Sequence, residues 1–190
     1  VDISPEMFFL FMNTAKYMQS IGKRMEAVKV LESLCVYSRK RKNTRHKEVI
    51  FRAISQIGED SPKAVCRIGD VEQQIFKEDM SLYAGDFYWF YGKSLQNLER
   101  IEDAIHAFEY CFQIRKNSLG EGNYYTELVR RERAVCEFSF SKGRKGREDL
   151  LHFVDWIESE NFEDKQTSEQ LEIFEMKTLC LALIGISDHS

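Results

Sequence analysis

The chain has 190 residues, 43% of them hydrophobic and 31% charged, with a net charge of −4. No run of about 18 apolar residues occurs, which excludes a predicted membrane-spanning helix, and the negative balance argues against a molecule built as a whole to bind nucleic acid. Only two prolines and ten glycines punctuate the sequence, so long helices joined by short loops are expected in a soluble protein, rather than many short strands.

The first helix is expected over residues 5–20. Ser4 can cap it, Pro5 fits the first helical position, and Glu6 lies in the first turn, where aligned amide dipoles favour an anion. Gly22 breaks the chain before a second helix from about Met25 to Arg39, with Ala27, Val30, Leu31 and Leu34 at helical spacing. A third helix begins near Thr44 and carries Val49, Ile50, Ala53, Ile54 and Ile57 on one side until Gly58 ends it. Ser61-Pro62, a cap followed by a first-turn proline, opens a fourth that reaches about Lys77. A fifth covers about Met80 to Asn97. Its centre, Phe87-Tyr88-Trp89-Phe90-Tyr91, is aromatic all round and must be buried on several sides. A sixth runs from about Ile101 to Lys116 and stops in the turn Asn117-Ser118-Leu119-Gly120. A seventh extends from near Asn123 to before Gly143, an eighth from Glu148 to Ser159, and a last from about Ser168 to Ile184. The last is expected to close a stack whose final face would otherwise stay wet.

Two stretches match when one is slid by 77 residues. Phe11, Ala15, Met18, Gly22, Ala27, Leu31 and Leu34 fall on Tyr88, Gly92, Leu95, Glu99, Ala104, Phe108 and Cys111. In each, a small residue (Ala15 or Gly92) precedes another (Ala27 or Ala104) by twelve positions, and a large apolar residue follows four later. Small residues at these points let the two helices of a hairpin approach closely, and the large one fills the space beside them. This pattern resembles the tetratricopeptide repeat. The segment 104–134, with Ala104, Phe108 and the Leu119-Gly120 turn, is similar to the longer repeats of the kinesin light chain type. The resemblance is plainest over residues 8–39 and 85–134. Arg39 and Lys116 stand where a proline is usual, and Ala15 where a glycine is usual. It implies an all-α solenoid of antiparallel helix hairpins at about 5–39, 44–78, 80–116 and 123–159, with a capping helix at about 168–184, together forming one repeat domain. Val1 in place of Met suggests a piece of a longer chain.

Proteins of this kind bind a peptide or helix in a concave groove lined by the first helix of each hairpin. The corresponding positions here are Phe9, Met12, Lys16 and Gln19, and then Asp86, Trp89, Lys93 and Gln96. A lysine with an amide on the next turn offers a charge for a carboxylate and hydrogen bonds for a peptide backbone. Trp89 offers the amphipathic area that anchors interfaces. Arg131 of the seventh helix is added as a residue that would hold an acidic partner. The plainer reading of that helix is a salt-bridged outer surface, with Glu127 and Arg131 as an i,i+4 pair.

Cysteines at 35, 66, 111, 136 and 180 are odd in number and widely spaced, and no glycosylation acceptor occurs, which favours reduced thiols in the cytoplasm. Cys111 and Cys180 lie on apolar helix faces. Two basic clusters, Arg39-Lys40-Arg41-Lys42 with Arg45, and Lys142, Arg144, Lys145 with Arg147 in a glycine-flanked loop, are read mainly as solvated charge. His46, His106, His152 and His189 are scattered, and no nucleophile elbow, phosphate loop or metal-ligand spacing is present. Neither an enzyme nor a cofactor or metal is expected. The sequence is thus read as an interaction scaffold whose partner is another protein, a peptide segment or another domain of the same parent chain, with no membrane partner. A signal-peptide-sensing regulatory domain is the alternative, and a nucleic-acid adaptor using the basic loops is the weaker one.

Overall fold

A computed structural model of the chain describes residues 3–42, 45–141, 144–159 and 167–185, without the side chains at 59 and 167–169. The described residues form nine α-helices and one 3-10 turn, and contain no strand. The helices are α1 (Pro5–Ser20), α2 (Arg24–Lys40), α3 (His46–Ile57), α4 (Pro62–Phe76), α5 (Leu82–Asn97), α6 (Ile101–Leu119), α7 (Tyr124–Ser141), α8 (Arg144–Ser159) and α9 (Thr167–Ile184), with the 3-10 turn at Gly58–Asp60. Within each unit, helices adjacent in sequence pack on one another, α1 to α5 in turn and α7 to α9 in turn, compatible with a helical stack. The chain divides into two compact units, Val1–Ile114 and Arg115–Ser190, and the division falls within α6.

Local chemistry explains the helix starts. The Ser4 hydroxyl accepts the Met7 amide at 3.3 Å, with Pro5 in the first turn. Ser61 accepts the Ala64 amide at 3.4 Å ahead of α4. Ser81 does the same for Ala84 at 3.4 Å, which moves the start of α5 to Leu82 from the expected Met80. Each such cap satisfies an amide that has no partner within the helix and contributes about 1 kcal/mol.

In the first unit, α1 packs on α2, α2 on α3, and α4 on α5, while α3 touches both α4 and α5. The small residues Ala15, Ala27 and Ala104 are fully buried, as are Leu31 and Phe108. Gly92 of α5 lies against the Phe108 ring of α6, so the second of the two aligned stretches brings a small residue against a large one. The aromatic centre of α5 is divided among neighbours. Phe87 stacks on Phe76 of α4 at 4.1 Å, Tyr88 on Tyr110 of α6 at 5.0 Å, and the Tyr91 hydroxyl donates to Asp70 at 2.6 Å. Burying each such ring contributes about 1.5–3 kcal/mol.

In the second unit, Leu150, Phe153, Val154, Trp156 and Ile157 of α8 pack with Ile173, Met176, Cys180, Leu181 and Ile184 of α9. The Trp156 indole N–H donates to the Gly122 carbonyl at 3.2 Å. Two expectations are corrected here. The stretch from Arg144 to Arg147 is the first turn of α8, not a loop. Gly146 marks the reason, because a Cβ there would lie 2.8 Å from the Phe138 amide nitrogen and 3.1 Å from the Ala134 carbonyl of α7. Glycine is at this point a contact between helix backbones. Lys142 and Gly143 lie outside the described residues. The second correction concerns α7. Glu127 is fully buried and pairs with Arg130 at 3.2 Å rather than with Arg131, and Arg131, Glu132 and Arg133 are all buried. Alternating charge on α7 therefore marks an internal ionic network instead of a wet outer face.

Candidate functional site

The first unit carries the accessible face closest to the expected groove. α1 and α3 are tied by Gln19, whose amide donates to the Gln56 carbonyl at 2.9 Å, and by Gln56, whose amide donates to the Gln19 side-chain oxygen at 3.2 Å. α3 and α5 are joined by the rings of Phe51 and Tyr83, edge to face at 5.2 Å. The first helices of the expected repeats thus stand side by side.

Where α3 and α5 begin, a hollow of about 420 Å³ opens between Arg45, Lys47, Glu48, Phe76, Asp79, Ser81 and Tyr83. Phe76 forms a buried floor and Tyr83, 63% exposed, forms a rim. Glu48 pairs with Arg45 at 2.6 Å and with Arg52 at 3.0 Å, and Lys47 pairs with Asp79 at 2.7 Å. Two carboxylates are therefore shared among three cations. Burial alone would raise the Asp79 carboxyl. Hydrogen bonds from Lys47 and from the Ser81 hydroxyl and amide outweigh it and hold the group at about 2. The Lys47 ammonium also stands 5.9 Å over the Phe76 ring.

The residues expected from sequence take varied positions. Phe9 and Lys16 are exposed on α1, whereas Met12 is buried beneath them. Gln19 is committed to the α1–α3 tie and also reaches Asp60 at 3.2 Å. Asp86, Trp89, Lys93 and Gln96 are half-buried on α5, and Trp89 packs its ring 5.9 Å from that of Phe108. Arg131 belongs to the second unit, where it is buried and paired with Glu132. Of the first basic cluster, Arg39 pairs with Glu72 at 3.3 Å, and the Arg41 guanidinium covers the Tyr37 ring at 5.3 Å. In the second cluster, Arg144 pairs with Glu148 at 2.6 Å and Lys145 with Glu137 at 3.6 Å. His189 lies outside the described residues.

One arrangement is invisible in the sequence. His46 Nε2 donates to Glu72 at 2.9 Å, and its Nδ1 lies 2.9 Å from the Ser38 hydroxyl. Serine, histidine and carboxylate in one line are the ingredients of nucleophilic catalysis. Ser38, however, is fully buried, so no acyl group reaches its oxygen. The line instead braces α2, α3 and α4. Among the described residues no cluster of His, Cys, Asp or Glu could hold a metal ion, and no helix is long and apolar enough to cross a membrane. No family model matches the chain, and neither does any curated protein or solved structure. The tetratricopeptide resemblance thus stands on the residues quoted for it.

Proposed function

We propose that this chain is a protein-interaction scaffold, in which antiparallel helix hairpins of the tetratricopeptide type present the side formed by α1, α3 and α5 to a peptide or helical segment. The observation that carries this reading is the hollow between Lys47, Phe76, Asp79 and Tyr83, beside first helices already tied together by Gln19–Gln56 and Phe51–Tyr83. A wall held rigid before binding leaves most of the ordering entropy to the ligand. The exposed ring of Tyr83 supplies anchoring area, and the excess of one positive charge where Arg45, Arg52 and Lys47 share Glu48 and Asp79 favours an acidic residue.

The test is selection from a random peptide library displayed against the 190-residue chain. The scaffold reading expects acidic peptides with an aromatic or aliphatic anchor, bound at least ten-fold more weakly by Tyr83→Ala or Lys47→Glu. A library that yields no binder, or binders indifferent to both substitutions, would remove it.

A further inference from the structure

The excess positive charge at the hollow between α3 and α5 has a counterpart in the chain's own sequence. Arg45, Lys47 and Arg52 share Glu48 and Asp79 there, three cations to two carboxylates, beside the buried Phe76 and the exposed Tyr83 ring. Residues 160–164 are Glu160, Asn161, Phe162, Glu163 and Asp164. They form the only five-residue stretch of the chain with three carboxylates and no cation, and an aromatic residue stands at its centre. A second hollow of about 300 Å³, between α2 and α4, lacks this complementarity. Its two arginines, Arg39 and Arg67, are matched by Glu72 and Glu32.

We propose that this hollow takes residues 160–164 of a second copy of the chain, with Phe162 against Phe76 and Tyr83 and the three carboxylates at Arg45, Lys47 and Arg52. The proposal rests on the scaffold reading of the same hollow and names its partner. The segment joins the end of α8 at Ser159 to the start of α9 at Thr167. Phe162, three residues past Ser159, is tethered within about 10 Å of the end of α8. A ring on that tether enters a hollow on a neighbouring molecule while α8 and α9 keep their own packing. Apolar contact with Phe76 and Tyr83 supplies the anchor, and the carboxylates choose this hollow over the neutral one. One anchor and a few exposed charges make a small contact, so association is expected on the order of 100 µM and weakens with added salt.

A fluorescein-labelled peptide of residues 157–168, titrated with the 190-residue chain and followed by anisotropy, tests this. Binding should weaken at least ten-fold when the peptide carries Phe162→Ser, or Glu160→Gln with Glu163→Gln and Asp164→Asn. The same loss is expected when the chain carries Tyr83→Ala or Lys47→Glu. A peptide that does not bind, or binds regardless of its own substitutions, overturns the proposal. The peptide variants decide even if a chain variant loses its helical circular dichroism. Sedimentation then reads association between copies. The mean mass of the parent should rise between about 10 µM and about 1 mM, and the chain with Phe162→Ser should stay monomeric. A parent that stays monomeric, or a variant that associates equally, overturns the proposal. Should library-selected peptides bind at Lys47 and Tyr83 while the 157–168 peptide does not, this partner is removed and the scaffold reading stands. Should neither bind, both fall.

Discussion

The Gly92 backbone lies so close to the Phe108 ring that a Cβ placed on it would sit 2.8 Å from a ring carbon. Phe108 is fully buried and has no room to retreat. α5 and α6 are thus held together where one helix gives up its side chain so that the other can insert a ring.

Gly92→Leu should therefore destabilise the first unit by about 1–3 kcal/mol through overpacking. Calorimetry should show a melting temperature lowered by several degrees, since about 1 kcal/mol corresponds to about 2–4 °C for a chain of this size. Unchanged melting would mean that the α5–α6 contact is not close-packed.

That contact is legible in the two aligned stretches, because a small residue and a large apolar one recur there at fixed spacing. Caps are equally legible at Ser4-Pro5 and Ser61-Pro62, where a hydroxyl and a proline both favour the first turn. Gly146 reads as part of a loop because glycine serves turns and helix contacts alike, and only the nearby Phe138 and Ala134 backbone tells them apart. The burial of Glu127, Arg131 and Arg133 is not legible either, since the same alternation of charge occurs on a wet helix. Of the candidate site, the α1 and α5 positions follow from the repeat pattern. Lys47, Asp79 and Tyr83 come together only through the packing of α3 on α5, and Ser38, His46 and Glu72 only through three separate helices.

Acid should weaken the first unit through Asp79. Its carboxyl titrates at about 2 when folded, against about 4 in an unfolded chain. The stabilisation it provides is fully present above about pH 4 and is lost as the pH falls towards 2. Thermal melts of parent and Asp79→Asn should differ at pH 6 and converge by pH 2. A difference that is constant across that window would show that the Lys47–Asp79 pair does not govern it.

All five cysteines are buried and none forms a disulfide. Burial, reinforced by Glu72 and Glu32, pushes the Cys35 thiol up to about 12, and burial with Asp70 pushes Cys66 up to about 11. Reactivity requires a thiolate that is accessible. An aromatic disulfide reagent at pH 8 should find no fast-reacting thiol in the native chain and five after denaturation. Rapid native reaction would contradict the packing around these residues.

Trp89→Ala is a poor probe of recognition because it also removes packing against Phe108. Its expected signature is a lowered melting temperature together with any loss of binding, whereas Tyr83→Ala, which removes the edge-to-face contact with Phe51 but a side chain that is 63% exposed, should lower melting by less than Trp89→Ala does. Differential scanning fluorimetry on both variants checks this. A large loss of stability in Tyr83→Ala would show that the rim is structural.

The most direct measurement is amide hydrogen exchange of the chain with and without a library-selected peptide. The scaffold account predicts added protection in α1, α3 and the first turns of α5, centred on Lys47 and Tyr83, and little change in α2 and α4. Protection confined to α2 and α4, or spread evenly over the chain, would contradict it.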